Sequence, residues 1–322
     1  MTYLSKKIWA ETVDGFTITD CAVRTQSVLA LCLRKKVDAD AATTMWDHDI
    51  ESRVLVVNLA SDGADDKSYA CRYLTGYNKP RVGIATVPLH QTLLVARNND
   101  GQVCVMGGGG KFPDELIDPG KVPMTWRIKT LGGYAYSVGG QRKIYKRTEV
   151  GKWVRVLEVP RADNIETVGF SDMDAFSDTD MYAVGGHGDV WHFDGRKWRQ
   201  MGFPSNVELG TVTCAGDGQV YVSGEGGSLW AGRESTWKRV YEGGSSILWN
   251  DAVWFQDRLW LASDYQFKVW DGRQLEGVTH KGKPVPISGH MDARDGLLAV
   301  ASQQVVMAYD GQSWRTIVAP YL

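Results

Sequence analysis

At 322 residues with a net charge of −2, 43% hydrophobic and 23% charged residues, the chain has the make-up of a globular protein with a sizeable core. That balance gives no global attraction to nucleic acid or to an anionic membrane. Its 36 glycines and 13 tryptophans against 10 prolines suit short strands joined by tight turns. Cys21, Cys32, Cys71, Cys104 and Cys214 are odd in number and form no CxxC pair, so they read as reduced core thiols of a cytoplasmic protein. The opening MTYLSKKIWAETVDG lacks the apolar segment of a secretion signal, and no run reaches the length of a membrane span.

The first elements, in chain order, are irregular. KKIWAETV (6–13) reads as an outermost strand with Trp9 as its anchor, expected to pair with the last module of the chain and close a ring. FTITDCAVR (16–24), SVLALCLRK (27–35), RVLVVNLAS (53–61) and SYACRYL (68–74) alternate or run apolar over strand lengths, with an insertion, KVDADAATTMWDHDIE (36–51), between the second and third. CVMGGGGKF (104–112) has the glycines and lysine of a phosphate-cradling loop. A P-loop, however, needs glycine where Val105 stands and a hydroxyl where Phe112 stands. It reads as a hairpin turn, with no nucleotide and no cofactor implied.

From residue 134 onward the chain repeats itself. YAYSVGGQRKIYKRTEVGKWVRV (134–156), MYAVGGHGDVWHFDGRKWRQM (181–201) and VYVSGEGGSLWAGRESTWKRV (220–240) share one pattern, with weaker copies at 259–278 and 297–317. Each copy is an apolar strand, a glycine turn, a second strand, a turn such as Asp-Gly, and a third strand opening on Trp. A further apolar run precedes each, such as ETVGF (166–170) or GTVTCAG (210–216), which makes four strands per unit. The opening aromatic is a ruler: Tyr69, Phe112, Trp153, Trp198, Trp237, Leu275 and Trp314 recur about every 40 residues, the period of propeller blades. The expected fold is all-β, a single seven-bladed β-propeller domain over 1–322 of four-stranded antiparallel blades. Its blades would span about 14–75, 76–121, 122–161, 162–205, 206–244, 245–286 and 287–322.

At YAVGG followed by VWHFDGRKW (182–198) the chain resembles the kelch and related bacterial β-propeller families, through the double glycine, the aromatic and the later Trp. The resemblance spans roughly 64–322 and implies architecture rather than activity. FDGRKW also approaches the Asp-box of sialidases, but Asp194 lies one residue too close to Trp198.

Second-to-third-strand loops share a face with blade-to-blade connections, so the insertion and the connection PDELIDPGK (113–121) are expected on one face of adjacent blades. The insertion sets Asp38, Asp40, Asp47, Asp49 and Glu51 against Lys36, around Trp46 and His48. The connection sets Asp114, Glu115 and Asp118 against Lys121. An acidic rim around an exposed aromatic offers steering and affinity to a basic protein partner. The bland alternative is a solvated insertion without a partner.

Other clusters carry less. WDHDI (46–50) holds His48 between carboxylates, but adjacent residues do not converge on one ion and no further ligands stand at metal spacing. Asp172, Asp174, Asp178 and Asp180 lack the glycine and glutamate of a calcium loop and suit a turn between two strands of blade four. His290, Asp292 and Arg294 are expected to face the central channel, and Trp249 and Trp254 to pack the core. No nucleophile–base pair emerges among the six histidines. The expectation is a non-catalytic, metal-free, protein-binding propeller, by analogy a bacterial immunity protein that sequesters a toxin or effector through the acidic face. A carbohydrate-binding or carbohydrate-active propeller is the alternative.

Overall fold

The computed structural model describes residues 3–38, 43–61, 68–97, 99–157, 169–244 and 247–321. Seven four-stranded antiparallel sheets follow one another along the chain, each made of four consecutive strands, with one small hairpin (Thr279–His280 with Lys283–Pro284) between the last two. The first strands are Phe16–Thr25, Arg81–Ala85, Thr125–Leu131, Asp172–Ser177, Leu209–Cys214, Asp251–Phe255 and His290–Arg294. Each touches the next and the last touches the first, so they form the inner wall of a closed seven-bladed β-propeller. Second strands such as Val28–Lys35, Gln91–Val95 and Leu297–Ala301 are buried on both faces, because both sides of a blade pack against neighbours. The core is accordingly divided into seven clusters, one at each blade junction.

The repeated aromatics are wedges in these junctions. Tyr69, Trp153, Trp198, Trp237, Leu275 and Trp314 stand at or one residue inside the start of an outer strand, and each packs into the junction with the preceding blade. Phe112 does not take this slot. The outer strand of blade two is only Glu115–Leu116, and Phe112 packs with Trp153 in the junction with the following blade. GGGGKF is nevertheless a turn: Gly107, Gly108 and Gly109 all have positive φ, and the guanidinium of Arg24 occupies the space a Cβ on Gly107 would need.

The recurrent glycine of YSVGG and YAVGG has one cause. At Gly139 and Gly185 a Cβ would meet the carbonyl oxygen of Met124 or Gly169 at 1.9 or 2.1 Å. Only a residue without a side chain lets the segment entering the inner strand pass there. The Asp-Gly turns recur for a different reason. Asp194, Asp271 and Asp310 each accept the backbone N–H groups two and three residues on, which hold their carboxyls below the usual range.

Two expected elements differ. The inner strand of blade four is Asp172–Ser177, not 166–170; residues 166–168 lie outside the described residues. Asp172 and Asp174 therefore belong to a strand rather than a turn. Residues 6–13 do not add a strand: Lys6–Thr12 is a short helix, capped by the Ser5 hydroxyl accepting from the Ile8 N–H. Leu4, Ile8 and Thr12, four apart, turn one buried stripe to the protein, and Leu4 and Ile8 pack among Phe16, Ile317 and Val318 where blades one and seven meet. The Tyr3 N–H donates to the Ile317 carbonyl and Trp9 sits edge-on to Tyr321 at 5.9 Å, so the segment does bind the last blade, as a wedge. Ile8→Ala is expected to cost about 2–4 kcal/mol, read as a lower midpoint in urea with the m-value retained.

Candidate functional site

The insertion lies against the connection between blades one and two (75–80), as two contacts show, and 113–121 meets that connection through Asp114 and Tyr77. The Gly76 N–H donates to the His48 carbonyl at 3.0 Å, and the Lys79 N–H to Asp47 at 2.6 Å. Asp47 also receives the Arg34 guanidinium at 3.1 Å, which fixes the end of the insertion to the blade. On this anchor Asp47–Asp49 forms one 3-10 turn, closed by Asp49 accepting the Trp46 N–H at 3.1 Å. Trp46 is thereby presented on a held turn: it is 73% exposed and stacks on His48 at 6.4 Å. Beside it Met45, Asp49, Glu51 and Tyr73 line a shallow depression with Lys35 and Lys36, and Tyr73 is 57% exposed.

The acidic residues divide by role. Asp38, His48 and Asp49 are exposed with Trp46, whereas Asp40 lies outside the described residues. Glu51 pairs with Arg53 at 3.2 Å. Asp114 receives Arg72 through both guanidinium nitrogens, and the Tyr77 hydroxyl at 3.4 Å. Asp118 accepts the Tyr145 hydroxyl at 2.8 Å. Tyr77 lies between the two segments, its carbonyl accepting Arg34, which also holds Asp47, while its hydroxyl reaches Asp114.

Glu115 is no surface residue. It is buried at the junction of blades two and three, where its carboxylate receives Arg147 twice, the Trp153 indole N–H and the Gly151 N–H at 2.5–2.9 Å. Burying a carboxylate demands this number of donors, so Glu115 cements the ring and cannot meet a partner.

The same face opens onto the channel. A cavity of ≈ 410 Å³ at the mouth is lined by Arg34, Lys79, Arg81, Arg97, Trp126 and His290 among others. Below it the lumen is crossed. Arg127, on the inner strand of blade three, bonds the Ser171 carbonyl of blade four and reaches Asp251 and the Asn250 carbonyl of blade six. Asp251 also accepts His290 Nδ1 at 2.9 Å and the Met291 N–H at 3.0 Å. Burial alone would raise its carboxyl, but Arg127 and His290 outweigh that and hold it well below the usual carboxylate range. His290, Asp292 and Arg294 do face the channel. Trp249 is buried, with its indole N–H donating to the Gly227 carbonyl, and Trp254 stacks on Tyr221.

Asp172, Asp174 and Asp180 point to different partners. Asp172 and Asp174 accept the Val212 and Cys214 N–H groups of blade five, and Asp180 pairs with Arg233 and His192. Among the described residues no group of three or more His, Cys, Asp or Glu is placed to hold a metal ion. Sequence reasoning missed Tyr73 and the cations of the mouth. The only signal was the run RYLTGYNKPR (72–81), whose two arginines, lysine and paired tyrosines fall in an outer strand and connection.

The fold is a seven-bladed propeller, and this face holds an aromatic out on one rim. No family model matches the chain. It is 30% identical over 239 residues to the immune protein Tsi7 of Pseudomonas aeruginosa, across 71% of this chain and 76% of that one. The chain belongs to the Tsi7 family of immunity proteins. In fold it is similar to the WD40 propeller domain of Doa1 (TM-score 0.62, 12% identity, 89% of this chain and 90% of that one). It is similar also to YCF48, solved with a D1 peptide (TM-score 0.50, 12% identity, 75% and 85%).

Two outcomes follow from the buried charges. Glu115→Gln strands Arg147 without a counter-charge and is expected to lower unfolding free energy by about 3–5 kcal/mol in urea titration. Asp251→Asn removes one of two carboxylates facing Arg127, the other being Asp172 at 3.3 Å, and is expected to lower stability at pH 7. A carboxyl depressed in the folded state stabilises above its unfolded value and loses that contribution as pH falls. Wild type and Asp251→Asn should therefore converge in stability as pH drops below about 4, followed by thermal unfolding from pH 7 to 3.

Proposed function

We propose that the protein neutralises a toxin by stoichiometric, non-catalytic binding in the cytoplasm, through the rim that carries Trp46. The observation behind this reading is Trp46 itself. A large apolar side chain left mostly in water on an otherwise well-packed ring loses solvent contact only on association, and its 3-10 turn is already ordered before that happens. Met45 and Tyr73 extend the apolar contact, and Asp38 and Asp49 supply the acidic rim for a partner with a basic surface.

The acidic contribution is smaller than the sequence implies, because Asp47, Glu51 and Asp114 face arginines of the protein itself, while Asp38 and Asp49 are exposed. Aromatic anchoring therefore carries the affinity, and Asp38 and Asp49 steer encounter. Neither a cofactor nor nucleic acid takes part in this reading. The kelch-like pattern contributes the scaffold alone.

The test is capture of the partner from the native cell, followed by titration of the purified pair. Trp46→Ala should weaken the complex by about 2 kcal/mol or more, roughly 30-fold, with an unchanged melting temperature. Asp38→Asn with Asp49→Asn should slow association at low salt and leave dissociation nearly unaltered. An unchanged affinity for Trp46→Ala sinks the proposal.

A further inference from the structure

We propose that the channel mouth is an anion-binding site, taking an oxyanion, carboxylate or phosphate, between Arg81 and Arg97. The inference goes beyond the Trp46 rim and stands without it.

The charges of the mouth do not balance. Arg34 is spent on Asp47, and Asp264 receives the Asn250 amide at 2.6 Å. Asp251, deeper, is spent on Arg127, His290 and the Met291 N–H. Three cations remain, Lys79, Arg81 and Arg97, against the one carboxylate of Asp264. Among the described residues the Arg81 guanidinium meets the Thr19 carbonyl at 3.3 Å and the His290 Nε2 at 3.4 Å. Neither a carbonyl oxygen nor an imidazole ring brings a negative charge to Arg81. Arg97 has no hydrogen bond or ion pair through its guanidinium among the described residues; it lies over Trp126, 5.3 Å from the ring. Burial, and then the charge of Arg81, pull its pKa below the usual guanidinium value against the opposing pull of Asp47. The Trp126 indole N–H is likewise buried without an acceptor.

Geometry supports the same occupant. The ≈ 410 Å³ cavity is of a size to enclose a small ligand. Arg127 crosses the lumen beneath it, so an anion entering from the mouth is held near Arg81 and Arg97. Guanidinium groups match carboxylate and phosphate through paired N–H donors, and a site rich in such donors and short of acceptors selects an oxyanion over a neutral molecule. The source is a free anion or the acidic side chain of a protein, and both present the same group.

Isothermal titration calorimetry of the full chain separates these outcomes, with citrate and inorganic phosphate as free anions and a capped tetraglutamate peptide as the side-chain source. Sodium chloride at matched ionic strength is the control. Saturable binding of at least one probe is expected, weakened at least about tenfold by Arg97→Gln and by Arg81→Gln, and partly restored by Arg97→Lys. Preference for citrate or phosphate identifies a free anion as occupant, and preference for the peptide an acidic side chain. Without anion, Arg97→Gln should melt no lower than wild type, since it removes a like-charge repulsion; wild type alone should gain melting temperature when the bound probe is added. Absence of saturable binding by all three probes, equal binding by the variants, or a melting temperature several degrees lower for anion-free Arg97→Gln would each overturn the assignment.

Discussion

The ring rests on how its innermost strands satisfy their outward-facing backbone groups. Each is the edge of a sheet, and the groups turned toward the next blade have no ladder partner. A side chain from one inner strand supplies the missing bond at all seven junctions. Asp20 accepts from the Val82 N–H, Asp172 and Asp174 from Val212 and Cys214, Asp251 from Met291, and Asp292 from Val23. The other three junctions use Thr130 to the Ile84 carbonyl, Arg127 to the Ser171 carbonyl and Thr213 to the Ala252 carbonyl. The seventh junction is stitched like the rest, by Asp292 to Val23. The first and last blades can thus each be complete in themselves, without a strand shared between chain ends.

That stitching explains what could be read from the sequence. Glycines, Asp-Gly turns and junction aromatics report local requirements that recur, so the blade number and most wedge positions were legible. Asp172 and Asp174 looked like turn residues because two acids in a short stretch suggest solvent, yet the inner wall buries them to serve the neighbouring blade. Phe112 fitted the spacing, but a count of residues does not distinguish the two sides of a blade, and the lengthened glycine turn sends it to the other one. Residues 6–13 alternate enough to resemble a strand; the four-residue spacing of Leu4, Ile8 and Thr12 decides for helix only because Phe16, Ile317 and Val318 wait opposite. Glu115 was misplaced on the surface since its partner, Arg147, lies on another blade and leaves no mark nearby in the chain.

The functional face follows the same division between local and remote causes. Trp46 was legible as an aromatic in a polar insertion. Its ordered turn was not, because Arg34 and Lys79, which hold Asp47, come from the second strand and from the connection between blades. On the proposed reading, neutralising Asp47, Glu51 and Asp114 within the protein shifts the weight of recognition from charge to apolar contact. The face therefore combines an aromatic rim, a thin acidic border and a cationic mouth, three chemistries within the reach of one protein-sized partner.

Arg127 adds a constraint of another order. It ties blade three to blade six, which are not neighbours, as a tie rod spans an arch. The length of one side chain then sets the diameter of the lumen. A sequence that gained or lost a blade by duplication or deletion would change that span and take Asp251 away from Arg127, so the circumference is fixed by an internal gauge as well as by the wedges around its edge.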